Sequence, residues 1–400
     1  PDQDAVIHLV NEFNQQNQGK IHINAVYAGA YDDAFSKYKA SIQSNNIPNI
    51  VQIYDIGSRF MIDSKTITPA QTFIDHYKYP IGDIYSSISG YYKVHGKQQS
   101  MPWNTSMPLL YVNTSMFQQA GISTSTLPTT FQQIEADSKI IKQKTGNPGF
   151  NAAIYGWYLE QWAARANVNY CNANNGRTGQ ATHALLTNSR IVQTLNWWTQ
   201  GVQQGWGENT GTTTSDSDTA FEAGKVAMIV ESTGSLAQIG EASHFTIGTS
   251  FYPRDQSWSS GQGGPIIGGA SVWITNHQSS YDQIAAWKFE QFLDNPANQA
   301  YWHIHTGYMP INQLAQQQAT EKAYIAAHPQ FETAIKQLKA TKSSYADQGC
   351  SMGAMPQARQ DAQNAISNAL TGKQTPQAAL QQQDGIIDQA IKTYNQSLAG

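Results

Sequence analysis

Two histidines separated by a single residue, His303 and His305, are the nearest this sequence comes to a metal-binding pair. A spacing of two does not bring both imidazoles to one helix face, and no third ligand is recognisable beside them, so no metal site is expected. Asp216 and Asp218 have the residue type for paired acid and base work, but their Thr/Ser-rich setting just ahead of a helical pattern fits helix capping better. The zinc-protease signature, the Walker phosphate loop, the dinucleotide glycine fingerprint and the nucleophile-elbow pentapeptide are all missing. The only cysteines, Cys171 and Cys350, fit a single disulfide in an oxidising compartment, the favoured reading, or two inert buried thiols. These residues point to a protein that binds without transforming and needs no cofactor. Two carboxylates meeting across a cleft, as in a glycosidase, are the enzyme alternative.

The elements that must position a binding site are plentiful. A 400-residue chain is too long for one core, and with 40% hydrophobic residues, including 10 Trp, 20 Tyr and 13 Phe, it can bury two or three. The 24 Lys and Arg nearly balance the 28 Asp and Glu, and no basic stripe appears, so nucleic acid is not an expected partner. Only 13% of residues are charged; Gln, Asn, Ser and Thr cover the surface, as in Asn14-Gln15-Gln16-Asn17 and Gln381-Gln382-Gln383. Such a surface keeps its solvation at any pH, which suits an exported protein facing a variable, acidic medium. No apolar run approaches the ~20 residues of a membrane span. The sequence opens on Pro1 and falls at once into a helix pattern through Val6, Leu9, Val10 and Phe13, as a trimmed chain would, so export is inferred indirectly.

Up to Asn113, helical patterns alternate with the short apolar runs Ile21 to Val26, Asn49 to Tyr54 and Leu109 to Asn113, which reads as α/β. A mostly helical stretch follows to about Ile247; within it a capping Asp218 starts a helix, Gly224 ends it, and the buried strand Val226 to Val230 comes next. Ile266 to Ile274 is a strand interrupted by the pair Gly268-Gly269, the mark of a bend or a close backbone approach, preceded by the Gly/Ser-rich stretch Ser259 to Gly264. A helix at Ser280 to Leu293 and further helices complete the chain.

At several separated points the chain resembles the glycerol-3-phosphate and glycerophosphodiester-binding proteins of ABC importers. The passages are Ala28-Gly-Ala-Tyr31, Gln52-Ile-Tyr-Asp55-Ile-Gly, Met101-Pro-Trp-Asn-Thr-Ser106-Met-Pro-Leu-Leu-Tyr-Val-Asn113, Ser232-Thr-Gly-Ser-Leu236, Ile266-Ile-Gly-Gly-Ala-Ser271, Thr306-Gly-Tyr-Met-Pro-Ile311 and Met355-Pro-Gln-Ala-Arg359. The resemblance implies an α/β, two-lobed periplasmic-binding-protein-like fold (type II, carbohydrate-type) with discontinuous lobes joined by hinge segments. Residues 1–111 plus 273–309 are expected in lobe 1, and 112–272 plus 310–400 in lobe 2. The family's ligand contacts fall on Tyr31, Asp55, Ser106, Ser232, Gly269, Tyr308 and Arg359. Arg359, the hydroxyls of Ser106, Ser232 and Tyr308, and the Gly269 N–H suit a phosphate ester, while Asp55 would accept hydrogen bonds from two glycerol hydroxyls. Pro356 at a first helical position would put Arg359 near a positive helix end.

Two departures from the family refine the expectation. The family begins with a short strand carrying an aromatic and a His, whereas this sequence opens inside the following helix. Some members carry two tryptophans three residues apart where this chain has Ile154 and Trp157. The smaller Ile154 frees volume beside the phosphate, and Trp157 offers a face for a quaternary ammonium. The expected ligand is therefore a glycerophosphodiester such as glycerophosphocholine, with glycerol 3-phosphate bound weakly or not at all. The resemblance further implies a monomeric, extracytoplasmic receptor, in the periplasm or lipid-anchored, that closes on its hinge around the ligand in the interlobe cleft and presents it to membrane permease subunits. A di- or oligosaccharide receptor of the same fold and, further off, a phosphodiester hydrolase are the alternatives.

Overall fold

The computed structural model describes residues 2–259 and 263–398; Pro1, the middle of the Gly/Ser-rich stretch and the last two residues lie outside the described residues. The chain divides into unit 1, Pro1–Ser106 with Ile267–His328, and unit 2, Met107–Ile266 with Pro329–Gly400. The crossings thus fall after residues 106, 266 and 328, against the expected 111, 272 and 309. The described strands are β1 (Ile50–Tyr54), β2 (Lys93–Val94), β3 (Lys97–Gln98), β4 (Met101–Ser106), β5 (Pro108–Asn113), β6 (Phe150–Asn151), β7 (Gly207–Glu208), β8 (Met228–Ser232), β9 (Ile247–Phe251) and β10 (Gly268–Ile274). The first crossing comes early because β5 pairs along both edges with strands of unit 2. The last comes late because the segment after Pro310 packs back on the helix Pro296–Thr306.

Unit 1 is built on an antiparallel sheet in the order β1-β10-β4, with Ile53 opposite Ser271 and Gly268 opposite Ser106. Its helices start and stop where side-chain chemistry dictates. Ser279 caps Ser280–Leu293, and Asn295 followed by Pro296 opens Pro296–Thr306, which Gly307 ends at φ +92°. Phe13, Trp103, Phe289 and Trp302 form one buried cluster, and Phe73 stacks on Trp287 at 5.4 Å in another. The run Ile21 to Val26 is not the expected strand. Asn14 takes both main-chain groups of Ile23, donating to its carbonyl at 2.9 Å and accepting its N–H at 2.7 Å, in place of a neighbouring strand.

Unit 2 holds a mixed sheet, β7-β6-β8-β5-β9, with β6 parallel to β7 and β8. Thr130 and Gln133 form a capping box on Phe131–Thr145, and Asn188 and Gly205 bound Ser189–Gln204. These helices bring Phe131 onto Trp197 at 4.2 Å and Trp198 against Trp162 at 5.4 Å. The capping role expected of Asp218 is not what the structure has. The helix runs Thr214–Glu222 from an N-cap at Thr213, and Asp218 lies inside it, buried. Cys171 and Cys350 are bonded, with Cα atoms 5.8 Å apart across 179 residues of sequence.

Glu290 and Asp294, on one face at the end of Ser280–Leu293, are buried to 2% exposure each. Burial pushes both carboxyls well above the usual carboxylate range, and the charge of Asp294 adds to the effect on Glu290. A group whose folded pKa is raised keeps a proton that the unfolded chain releases, so its contribution is full in acid and lost as pH rises towards the folded value. The melting temperature should therefore rise from pH 8 to pH 5, and less steeply in the Glu290→Gln/Asp294→Asn double variant; parallel profiles would exclude these groups as the source. Replacing both cysteines with serine should lower the unfolding free energy by about 2–5 kcal/mol in denaturant titrations, and an unchanged midpoint would rule out a stabilising bridge.

Candidate functional site

Five of the expected ligand residues lie in unit 1, and Asn104 on β4 holds one of them, Tyr31, directly. Its side chain is buried; Nδ2 donates to the Tyr31 hydroxyl at 2.8 Å, and Oδ1 accepts from Gln52 Nε2 at 2.8 Å. The Tyr31 and Tyr308 hydroxyls are hydrogen-bonded to each other, and the Asp55 charge acts on the Tyr31 phenol. Asp55 follows β1 directly and is buried. A column of rings holds Tyr308, with Trp103 stacked on Trp302 at 4.8 Å and Trp302 on Tyr308 at 5.6 Å. The main chain of the same stretch completes the arrangement. Met309 N–H donates to the Thr105 carbonyl at 2.8 Å, and Ser106 faces Gly268 across the sheet. Where β10 bulges, Gly269 has φ +87°, and a Cβ there would lie 1.8 Å from the Asn104 carbonyl oxygen, so only glycine fits.

Ile154, Trp157, Ser232 and Arg359 belong to unit 2, where the helix Gly156–Arg165, buried at every residue, organises them. Arg359 stands on Met355–Leu370, which opens with Pro356 in its first turn as expected. Its guanidinium is buried and forks onto Glu160: Nε donates to Oε1 and Nη2 to Oε2, each at 2.7 Å. It also lies 6.0 Å from the centre of the Tyr155 ring. The two helices touch so closely that a Cβ at Gly156 would sit 2.0 Å from the Arg359 carbonyl oxygen. Trp157 is buried between Tyr155 and Tyr158, with ring centres 6.1 and 5.6 Å away, and Ile154 is buried beside them in the chain. Ser232 ends β8. Its Oγ accepts the Gly234 N–H at 3.1 Å, which leaves its O–H as a donor, while its own N–H donates to Glu231 Oε1 at 2.6 Å. Tyr158, from the organising helix, donates to Glu231 Oε2 at 3.0 Å.

Within unit 1 the structure brings Tyr31, Asp55 and Tyr308 together, with Ser106 and Gly269 on the adjoining strands; within unit 2 it links Arg359 to the Trp157 helix and Ser232 to the same helix through Tyr158. The histidines set aside from the sequence are elsewhere. His303 Nδ1 is 2.5 Å from Glu321 Oε1 in a buried pair, and His305 stacks on Tyr301. Among the described residues no group of three or more metal-ligating side chains could hold an ion. Sequence reasoning missed Asn104, Tyr158, Glu160 and Glu231. A signal for the two glutamates was present: Glu160 is a lone acid within Trp157 to Trp162, and Glu231 directly follows the apolar run Val226 to Val230, where a charge needs a partner.

The family described as bacterial extracellular solute-binding protein matches residues 8–333. The sn-glycerol-3-phosphate-binding periplasmic protein UgpB of Escherichia coli strain K12 is 30% identical over 396 residues, covering 98% of this chain and 88% of that protein. Its counterpart in Salmonella paratyphi A is 31% identical over 398 residues with the same shares. UgpB from Mycobacterium tuberculosis, crystallised in complex with glycerophosphocholine, superposes with a TM-score of 0.84 at 20% identity, covering 98% of this chain and 95% of that one. The cyclic alpha-maltosyl-1,6-maltose binding protein from Arthrobacter globiformis gives 0.79 at 19% identity, covering 98% and 96%. The fold is accordingly the α/β, two-lobed periplasmic-binding-protein-like fold expected from the sequence. No described helix is long and apolar enough to cross a membrane.

Because residue 269 combines a positive φ with a backbone contact on its would-be Cβ, Gly269→Ala should destabilise the protein by at least about 1–3 kcal/mol. A denaturation midpoint within error of the parent would contradict that geometry.

Proposed function

We propose, starting from the fact that the chain belongs to the bacterial extracellular solute-binding protein family, that it is the extracytoplasmic receptor of an ABC importer and binds a glycerophosphodiester such as glycerophosphocholine. The observation that carries this reading is the Arg359–Glu160 fork. A guanidinium paired with one carboxylate keeps a fixed orientation but leaves the pair with no net charge. A phosphodiester carries one negative charge near neutral pH, whereas a phosphomonoester carries about 1.5 to 2, so the diester brings less unbalanced charge to a neutral pair. The names of the 30% identical relatives and the glycerophosphocholine complex of the structural neighbour support the ligand class.

On this reading Asp55 of unit 1 accepts from glycerol hydroxyls, and Tyr31, Ser106, Gly269 and Tyr308 are its companions in that unit. In unit 2, Arg359 and the Ser232 O–H suit a phosphodiester and the Trp157 face suits a quaternary ammonium, with Ile154 leaving room for the larger headgroup. Capture requires no catalytic group, and release to permease subunits completes the role of a monomeric receptor that acts outside the cytoplasm.

Titration calorimetry should show glycerophosphocholine binding at least about tenfold more tightly than glycerol 3-phosphate, a difference of about 1.4 kcal/mol. Tighter binding of glycerol 3-phosphate would overturn the diester assignment, and binding of a maltose-like sugar alone would favour the saccharide receptor.

A further inference from the structure

Glu231 immediately precedes Ser232 at the end of β8 and is 3% exposed. Its two oxygens accept from the Ser232 N–H at 2.6 Å and the Tyr158 hydroxyl at 3.0 Å. A third partner, Asp218, hydrogen-bonds Glu231 from inside the helix Thr214–Glu222. Two carboxyl groups cannot hydrogen-bond unless a proton lies between them, and two carboxylates this far from water do not both ionise. Tyr111, on β5, donates to the Ser232 carbonyl at 2.6 Å, so the residue is gripped at both its main-chain groups. We propose that Asp218 and Glu231 share one proton and that this pair is a positioning device for Ser232, which makes affinity for the phosphodiester depend on pH. The coupling to ligand rests on the role assigned to Ser232 above.

The titratable groups facing the pair are Tyr158 from Gly156–Arg165, Tyr111 from β5 and Tyr252 just beyond β9, with Glu222 of Thr214–Glu222 acting on Asp218; the fifth group is the partner carboxyl itself. None of these five is a cation. Burial first, and the Glu231 charge second, push the Asp218 carboxyl up to about 9, and burial raises Glu231 as well. The proton belongs on Asp218, because Glu231 already accepts from the Ser232 N–H and the Tyr158 hydroxyl and so is the better anion. While the proton is shared, the cluster carries one negative charge.

Losing the shared proton places a second negative charge behind a residue that meets an anion. Binding favours the protonated pair, so affinity falls as pH rises through the folded value near 9. Without ligand the sign is that of any raised carboxyl: this group's contribution to stability is full in acid, declines as pH rises from about 4 towards the folded value, and is constant above it.

Asp218→Asn replaces the shared proton with a permanent amide donor. Calorimetry with glycerophosphocholine at pH 7 and pH 10 should show the parent losing about tenfold or more, the effect of one added charge several ångströms away at an effective dielectric of about 20. The variant should lose less than about threefold by the same comparison. Glu231→Gln serves as a second variant with the same expected flattening, should the first fold poorly. Equal pH ratios in the parent and both variants would overturn the proposal. Melting of the unliganded proteins gives a ligand-free check, in which the parent gains on Asp218→Asn from pH 9 to pH 5. A constant gap between them would refute the shared proton whether or not ligand binds. If glycerophosphocholine binds at neither pH while the unliganded profiles diverge, the proposed ligand falls, and its coupling with it, while the shared proton stands.

Discussion

A guanidinium buried beside the Tyr155 ring has to be neutralised, and much of unit 2 follows from how Arg359 meets that demand. Glu160 reaches it only because the helix Gly156–Arg165 lies against Met355–Leu370, and that approach is possible only because residue 156 lacks a Cβ. The same helix, once placed, directs Tyr158 to Glu231 and Trp157 between two tyrosines. Breaking one partner of such a pair leaves a bare charge in a low dielectric and costs about 3–5 kcal/mol, so the fork constrains the fold as well as the charge offered to a ligand. Unit 1 has an uncharged counterpart in Asn104, whose side chain orders Tyr31 and Gln52 while its carbonyl excludes any side chain at position 269.

A second constraint runs through both units. Glu290 and Asp294 in unit 1, and Asp218 and Glu231 in unit 2, are carboxyl pairs without a paired cation among the hydrogen bonds and ion pairs described, and burial raises all four. Proteins whose acids are salt-bridged lose stability in acid; one whose buried acids carry protons gains it. That accords with a sequence of which only 13% of residues are charged, as suits an acidic medium.

Much of the fold was legible because its signals are local. The helix Ser280–Leu293 and the strand at Ile50–Tyr54 stand where their patterns put them, and the glycine pair at 268 and 269 marks a true bulge. The failures have one physical cause, side-chain partners that lie outside the element's own periodic pattern. Ile21 to Val26 has the composition of a strand, but Asn14 took its hydrogen bonds. Asp218 has the setting of a cap, but Glu231, thirteen residues on, claimed it. Motif matching found Arg359 yet could not find Glu160, 199 residues away, which decides how much charge the arginine has to offer.

On the proposed function, an arginine paired with Glu160 favours a monoanionic diester of glycerol over a dianionic monoester. Native mass spectrometry of the protein mixed with equal amounts of glycerophosphocholine, glycerol 3-phosphate and maltose tests it directly. The predicted spectrum has one dominant adduct, a single glycerophosphocholine per chain; a spectrum dominated by the glycerol 3-phosphate or maltose adduct would contradict the account.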